Sequence, residues 1–252
     1  MAAIQFANVS FRWGAEPILA DLTLTVEPGE FLAVVGPSGC GKSTLLQLLA
    51  GLVDPQAGRI RVGGRAVEGP GHVALMPQRD ALLPWRTVRE NGALLLELQG
   101  VPRREALWRV DQSLERLGLE GWGDAYPGAL SGGMRQRVAF LRTILTGQSV
   151  LLLDEPFGAL DALTRLQLQE WLVQLWEQER QTVLFITHDV EEALLLADRV
   201  LLMGARGTGR YRLQSVPLAR PRGRATLADP AFGRLKAELL ADLLQPEGAW
   251  RS

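Results

Sequence analysis

The chain has 252 residues, 47% of them hydrophobic, with 27 Lys+Arg against 28 Asp+Glu and a formal net charge of −1. That size supports a large buried core in one α/β domain or two small ones, and near-neutrality argues against a nucleic-acid surface as the main business. A single cysteine, Cys40, and only two histidines, His72 and His188, exclude an internal disulfide and a multi-thiolate or His-rich metal centre, and suit a reducing compartment.

The opening "MAAIQFANVSFRWG" lacks the basic start and apolar run of a secretion signal. No apolar run is long enough to cross a bilayer, since "EEALLLADRVLLM" is broken by charge within a few positions. In chain order, "IQFANVSFR", "DLTLTVEPGE" and "FLAVVG" read as strands, and the last feeds directly into "PSGCGKSTLLQLLAG", a loop and helix. Two further strands, "GRIRVGG" and "HVALMPQ", follow. The pattern then turns helical: "TVRENGALLLELQG", "RREALWRVDQSLERLG" and "SGGMRQRVAFLRTILTG". Thr87 and Glu90 stand at capping-box spacing at the start of the first of these. Strand and helix alternate again through "SVLLLDEP", "LTRLQLQEWLVQLWEQER", "QTVLFITHD", "VEEALLLAD" and "RVLLMG", before an arginine-rich tail and a last helix, "DPAFGRLKAELLADLL".

Alternation of this kind predicts an α/β fold with a mainly parallel sheet covered on both faces. The helical block reads as an insertion carried by that core. The expected boundaries are a core over about 1–86 and 149–225, a helical subdomain over about 87–148 and a C-terminal helix over about 229–244.

"GPSGCGKST" carries the strongest chemical signal. It matches G-x-x-x-x-G-K-[ST] from Gly36 to Ser43, after an apolar strand and at the start of a helix. Gly36, Pro37, Ser38, Gly39, Cys40 and Gly41 form a loop whose N–H groups curl around phosphate oxygens, and Thr44 closes the motif. Lys42 neutralises the β- and γ-phosphates, and Ser43 is a Mg²⁺ ligand. The competing reading is a Gly-rich turn with an exposed lysine, with Cys40 a small filler in either case. "VLLLDEP" supplies the complementary half: Asp154 at a strand end to hold Mg²⁺ through water, and Glu155 to orient the attacking water. Alone, this would be a strand followed by an acidic turn. Adjacent carboxylates repel, so a cation is needed before both ionise comfortably.

"LSGGMRQR" adds a second anion site. Ser131 caps a helix that begins with Gly132 and Gly133, whose free N–H groups and dipole favour negative charge. With Gln78 in "MPQ", Asp161 ending "GALD" and His188 in "ITHD", the chain resembles the ATP-binding subunits of ABC transporters, the motifs matching in order across nearly its whole length. The resemblance implies a P-loop NTPase fold, a RecA-like core with an antiparallel β subdomain and an inserted helical subdomain. It further implies a head-to-tail pair of cassettes, expected here to be a homodimer, with each ATP held between the phosphate loop of one copy and Ser131, Gly132 and Gly133 of the other. In the same way Gln78 resembles the glutamine that contacts Mg²⁺ and the attacking water, and His188 the switch histidine at the γ-phosphate. Asp161 resembles the aspartate that reaches across the dimer, and Trp13 the aromatic residue that stacks on adenine.

Two positions depart from the family pattern. Trp13 stands where tyrosine is usual, and another flat ring can stack. Met134 stands where glutamine is usual. At N3 it cannot reach back to the cap's N–H, so the helix start is expected to be less well fixed by about 0.5 kcal/mol.

The finer features "LLPWRTVREN", "EGPG", "DEPFGALDALTR" and "VPLARPR" resemble the nitrate, sulfonate and taurine group of importers, whose relatives also serve thiamin pyrimidine precursors. Leu82, Leu83, Pro84 and Trp85 either dock a permease helix or pack the insertion onto the core. Arginines at 206, 210, 212, 220, 222 and 224 either form a solvated edge with a short terminal strand or meet anionic lipid heads. The expected function is an ATPase using ATP and Mg²⁺ at the cytoplasmic face of the inner membrane. Its expected partners are transmembrane permease subunits and, indirectly, an extracytoplasmic solute-binding protein. An exporter ATPase and a non-transport regulator are the alternatives.

Overall fold

A computed structural model describes residues 2–244; Met1 and residues 245–252 lie outside the described part, as does the side chain of Arg224. The chain begins with strands β1 (Ile4–Trp13) and β2 (Glu16–Val26), joined by a turn in which Gly14 takes φ +59°. That positive φ suits a two-residue hairpin, whose twist matches the flanking strands. Strands β4 (Ala57–Val62) and β5 (Arg65–Ala66) complete an antiparallel sheet ordered β2-β1-β4-β5.

The second sheet contains β3 (Phe31–Val35), β6 (Ala74–Met76), β7 (Val150–Asp154), β8 (Thr182–Ile186), β9 (Arg199–Met203) and β10 (Tyr211–Ser215), ordered β10-β9-β3-β8-β7-β6. All neighbours are parallel except β10, which pairs antiparallel on β9. Its inner strands are apolar apart from polar residues at their ends, as a sheet buried on both faces requires. Side chains alternate between faces with period two. Phe31, Ala33, Val35, Leu151, Leu153, Val183 and Phe185 therefore enter one core, while Leu32, Val34, Val150, Leu152, Leu184 and Ile186 enter another. The second core is closed by the antiparallel sheet and by helix α1 (Lys42–Leu49).

Between β6 and β7 lie α2 (Val88–Leu98), α3 (Arg103–Leu114) and α4 (Gly132–Ile144). They share the first core with α5 (Ala162–Glu179), α6 (Val190–Leu196) and the terminal α7 (Pro230–Leu244). Helix α2 starts with the reciprocal cap read in the sequence: Thr87 accepts from the Glu90 N–H, and the Glu90 carboxylate accepts from the Thr87 N–H. Asn91, fully buried one turn later, donates to the carbonyls of Leu83, Arg86 and Thr87 and accepts from the Leu83 N–H. It thereby folds the "LLPW" turn: Leu82 packs on the core, while Trp85 stands 70% exposed. Packing and exposure are thus divided within one turn.

The tail forms the expected short strand, β10; Arg206 stays exposed at its edge as expected, whereas Arg212, Arg220 and Arg222 are tied into the body of the protein. Arg206 pairs with Glu16, Arg212 with Asp242 on α7, and Arg220 with Asp198 while lying over the Trp176 ring. Arg222 is buried and donates to the carbonyls of Leu194, Ala197, Val216 and Leu218, closing the end of α6. Burial and the neighbouring Arg220 push its guanidinium down to about 10. The guanidinium carries five donors in a fixed fork, which lets one side chain serve several carbonyls. Arg222→Ala should therefore cost about 2–4 kcal/mol through carbonyls left without a donor. The expected readout is a fall in Tm of roughly 5–15 °C by calorimetry.

Candidate functional site

The loop from Gly36 to Gly41 runs from the end of β3 into α1. Two positions have no room for a side chain. A Cβ on Gly36 would meet the Met203 carbonyl oxygen at 2.6 Å, and one on Gly41, which holds φ +111°, would meet Ile18 Cγ2 at 2.6 Å. Gly41 also serves as the N-cap of α1 with no side-chain cap, and no acidic residue occupies the first turn. The first N–H groups of that helix thus keep their donors for an anion. Lys42 is buried and folds back along the loop, its Nζ donating to Gly36 O at 2.8 Å and Pro37 O at 3.0 Å. Cys40 is buried beneath the loop, and burial pushes its thiol up, away from the reactive thiolate.

A cleft of about 350 Å³ opens over this loop, lined in part by Trp13, Ser38, Lys42, Ser43, Gln78 and Glu155. Trp13 is half exposed on one side of it. Its Nε1 donates to Thr44 Oγ1 at 3.3 Å, and its ring meets Phe11 edge-on at 4.9 Å. The indole edge is therefore pinned while a face stays open to a flat partner. Arg206, from the turn between β9 and β10, also lines the cleft. No local motif marks it, because its place depends on how the two sheets meet.

Strand β7 ends in the carboxylates. Asp154 is buried, and burial pushes its carboxyl up, against a hydrogen bond from Ser43 that pulls it down; Glu155 pushes it up further and Lys42 pulls it down. Glu155 takes φ +47°, in the left-handed region, with its N–H held by Ile186 O at 3.0 Å. Such strain in a non-glycine residue costs on the order of 1–3 kcal/mol. It aims the side chain at the cleft, where Gln78 Nε2 donates to Glu155 Oε2 at 3.1 Å and His188 Nδ1 lies 3.7 Å from the same oxygen. Three segments far apart in sequence meet at one carboxylate oxygen.

Ser131, Gly132, Gly133 and Asp161 are not in that cleft. Ser131 caps α4, accepting from the Met134 N–H at 3.2 Å. Met134 completes no capping box there; its side chain packs against the core instead. The Gly132 end lies in a separate cleft of about 340 Å³, lined also by Gln78, Asp80, Arg135 and Gln136. Asp161 caps α5, accepting from the Thr164 N–H at 3.0 Å, which holds its carboxyl below the usual range.

Sequence reasoning gave Gln136 no role, although it lies in the quoted motif. Buried on α4, it donates to Glu155 O at 2.9 Å and accepts from the Ala159 N–H at 2.8 Å. The glycine-led helix is thereby bonded to the backbone of the strained carboxylate. Arg135 donates to the Asp80 carboxylate at 3.0 Å, and Arg142 donates to the carbonyls of Asp80 and Ala81. The segment that carries Gln78 is thus bolted to the helical insertion.

Mg²⁺ takes oxygen ligands and usually keeps waters and substrate phosphates, with only one or two carboxylates from the protein. The donors fit that pattern. Among the described residues there is no cluster of three or more His, Cys, Asp and Glu able to hold a metal. Asp154 and Ser43, already joined, are hard donors beside the phosphate loop, and a cation there would relieve the buried carboxylate.

Comparison with known proteins agrees with this chemistry. The ABC transporter family profile matches residues 19–158. The chain is 46% identical over 234 residues to a putative ATP-binding protein of Brucella abortus (strain 2308), covering 92% of this chain and 90% of that one. It is 42% identical over 255 residues to the taurine import ATP-binding protein TauB of Escherichia coli (strain K12), covering 98% and 99%. Among solved structures, an ATP-binding cassette in a dimeric post-hydrolysis state bound to ADP and Pi superposes with a TM-score of 0.76 at 27% identity, over 86% of this chain and all of that one. A dimeric bacterial ABC transporter cassette superposes equally well at 28% identity.

The raised carboxyl of Asp154 sets a stability prediction. An acid held above its unfolded value binds its proton more tightly when folded, so stability from this group is greatest at low pH and is lost as pH rises through that raised value. At pH 7.5 Asp154→Asn should raise the Tm of the nucleotide-free chain, about 2–4 °C for each kcal/mol relieved. It should also remove any gain in Tm on adding Mg-ATP relative to ATP alone. Thermal scans at pH 7.5, with and without Mg²⁺, check both.

Proposed function

Because the chain belongs to the ABC transporter family and is an ATP-hydrolysing subunit, we propose that it powers uptake of a small solute of the taurine, sulfonate or nitrate kind. The near-full-length likeness to TauB supports import over export. Work is done on separate permease subunits, supplied by an extracytoplasmic solute-binding protein, at the cytoplasmic face of the inner membrane. No helix among the described residues is long and apolar enough to cross a membrane, which suits a peripheral engine attached to a separate channel.

The observation that carries the reading is the meeting of Gln78 and His188 at Glu155 Oε2 beside the phosphate loop. Phosphoryl transfer asks little covalent chemistry of a protein; catalysis is mostly positioning and electrostatics. In the proposed scheme Lys42 exchanges the Gly36 and Pro37 carbonyls for phosphate oxygens. Trp13 stacks on the adenine. Glu155 orients the attacking water and accepts its proton, held in place by Gln78, while His188 donates to the γ-phosphate. Ser43, Gln78 and, through a water, Asp154 would hold Mg²⁺, which would supply positive charge beside the phosphate oxygens.

Two clefts support a half-site arrangement. Ser131, Gly132 and Gly133 lie apart from the phosphate loop of their own chain, so a second copy in the opposite sense would bring each glycine-led helix start to the other's γ-phosphate. The related cassettes solved as dimers support that arrangement. In this arrangement Asp161, at the start of α5, serves the same junction. ATP then joins two copies, and hydrolysis releases them. The turn displaying Trp85 is the docking surface for the permease, and its link through Asp80 to Arg135 and Arg142 carries the motion.

Glu155→Gln should lower kcat by roughly 10²–10⁴-fold and, in Mg-ATP, trap a dimer measurable by light scattering. An unimpaired rate would remove Glu155 from its role; a strict monomer would end the half-site scheme. Trp85→Ala should leave the ATPase rate of the isolated chain unchanged while lowering stimulation by a reconstituted permease at least several-fold. Full stimulation in that variant would move the docking surface elsewhere.

A further inference from the structure

Beneath the turn that carries His188 lies a buried polar group with no role in the scheme above. Thr187, beside His188, is buried, and its N–H donates to Val34 O on β3 at 3.2 Å. Its hydroxyl accepts from the Asp189 N–H at 3.0 Å and donates to Glu192 Oε2 at 2.6 Å. Glu192 is also buried, on α6, and its other oxygen accepts from Gln169 Nε2 at 3.0 Å. Arg165 Nε lies 3.7 Å from that same oxygen.

Arg165 belongs to α5, one turn beyond Asp161, and its Nη2 donates to Leu160 O at 3.2 Å. Its Nε is buried with no hydrogen-bond partner. A buried donor left unpaired costs free energy, and the 3.7 Å gap to a carboxylate is slightly beyond bonding distance. A small movement of α5 toward α6 would convert the contact into a charge-assisted bond. The turns at either end of this chain of contacts carry His188 and Asp161, the two residues assigned above to the γ-phosphate and to the partner cassette.

We propose that Glu192 is a positioning residue for hydrolysis, holding the His188 turn through Thr187 and tying it through Arg165 to the Asp161 turn. The Arg165–Glu192 gap closes when two cassettes close on ATP, so the switch histidine is set only once the junction has formed. This rests on the roles proposed for His188 and Asp161, and the brace adds no contact to the nucleotide itself.

The test compares Glu192→Gln, Arg165→Met and His188→Ala, singly and as the double variants with His188→Ala, by steady-state ATPase assay, ATP binding and melting temperature. Glu192→Gln keeps the side chain's size and an oxygen for Gln169 but removes the charge that Arg165 meets. The expected result is a fall in kcat of at least tenfold in both Glu192→Gln and Arg165→Met, with KM and the Kd for ATP within twofold of the parent. Arg165→Lys, which keeps a cation, should recover part of the rate. In the His188→Ala background neither substitution should lower kcat further, because the brace acts through that histidine.

A parental kcat in Glu192→Gln, a loss that multiplies in full with that of His188→Ala, or a fall in ATP affinity matching the fall in kcat would each overturn the inference. Should Glu192→Gln fail to fold, Arg165→Met decides by the same criteria. If His188→Ala itself keeps the parental rate, the failure belongs to the role given to His188; if it loses rate while the brace variants do not, only the brace falls.

Discussion

The whole site depends on backbone that comes too close to its neighbours for any side chain to intervene. At Gly36 the loop passes against the Met203 carbonyl, and at Gly41 against Ile18, so the phosphate cradle is wedged between the end of β9 and the antiparallel sheet. The wedge holds α1 with its first N–H groups facing outward and no side chain to cap them. That arrangement is held by one apolar core, to which Ile18, Met203 and the buried face of α1 all belong. Lys42, bonded to the Gly36 and Pro37 carbonyls of its own loop, holds the loop closed on itself.

Around this cradle the protein keeps charge in uncomfortable places. Asp154 is buried at a strand end with its carboxyl pushed up, and Glu155 beside it occupies a strained left-handed backbone position. Neither arrangement stabilises the empty chain. Both make sense as preparation for a cation and a triphosphate, since local rules are broken mainly where function needs them. The neighbouring polar groups compensate. Gln78 holds the Glu155 carboxylate, and Gln136 holds its carbonyl.

Elsewhere the arginines act as internal ties. Arg142 crosses from α4 to the carbonyls after Gln78, Arg199 joins Glu30 and the Thr25 carbonyl, and Arg222 closes the end of α6. Each spends its donors on backbone or carboxylate groups contributed by segments distant in sequence. One consequence is mechanical. Helical insertion, Gln78 segment and the cleft at Glu155 are joined by polar links, with few residues between the Trp85 turn and Glu155.

Much of this was legible in the residues. The strand-helix alternation, the Thr87–Glu90 cap and the loop from Gly36 to Ser43 are short-range patterns, each set by a few adjacent side chains and the backbone they satisfy. The terminal strand was legible for the same reason. Arg212, Arg220 and Arg222 were misread as part of a solvated edge because their partners, Asp242, Asp198 and the carbonyls at the end of α6, are distant in sequence. Gln136 went unassigned although its motif was recognised, because its partners lie on the loop after β7. Periodicity and capping could therefore announce which elements form, and the glycine-rich motif which loop is the candidate phosphate site. Strand order and packing between layers decided that Gln78 would bond Glu155 Oε2 with His188 beside it, because hydrogen bonds between remote segments form only where the folded backbone brings them within about 3 Å.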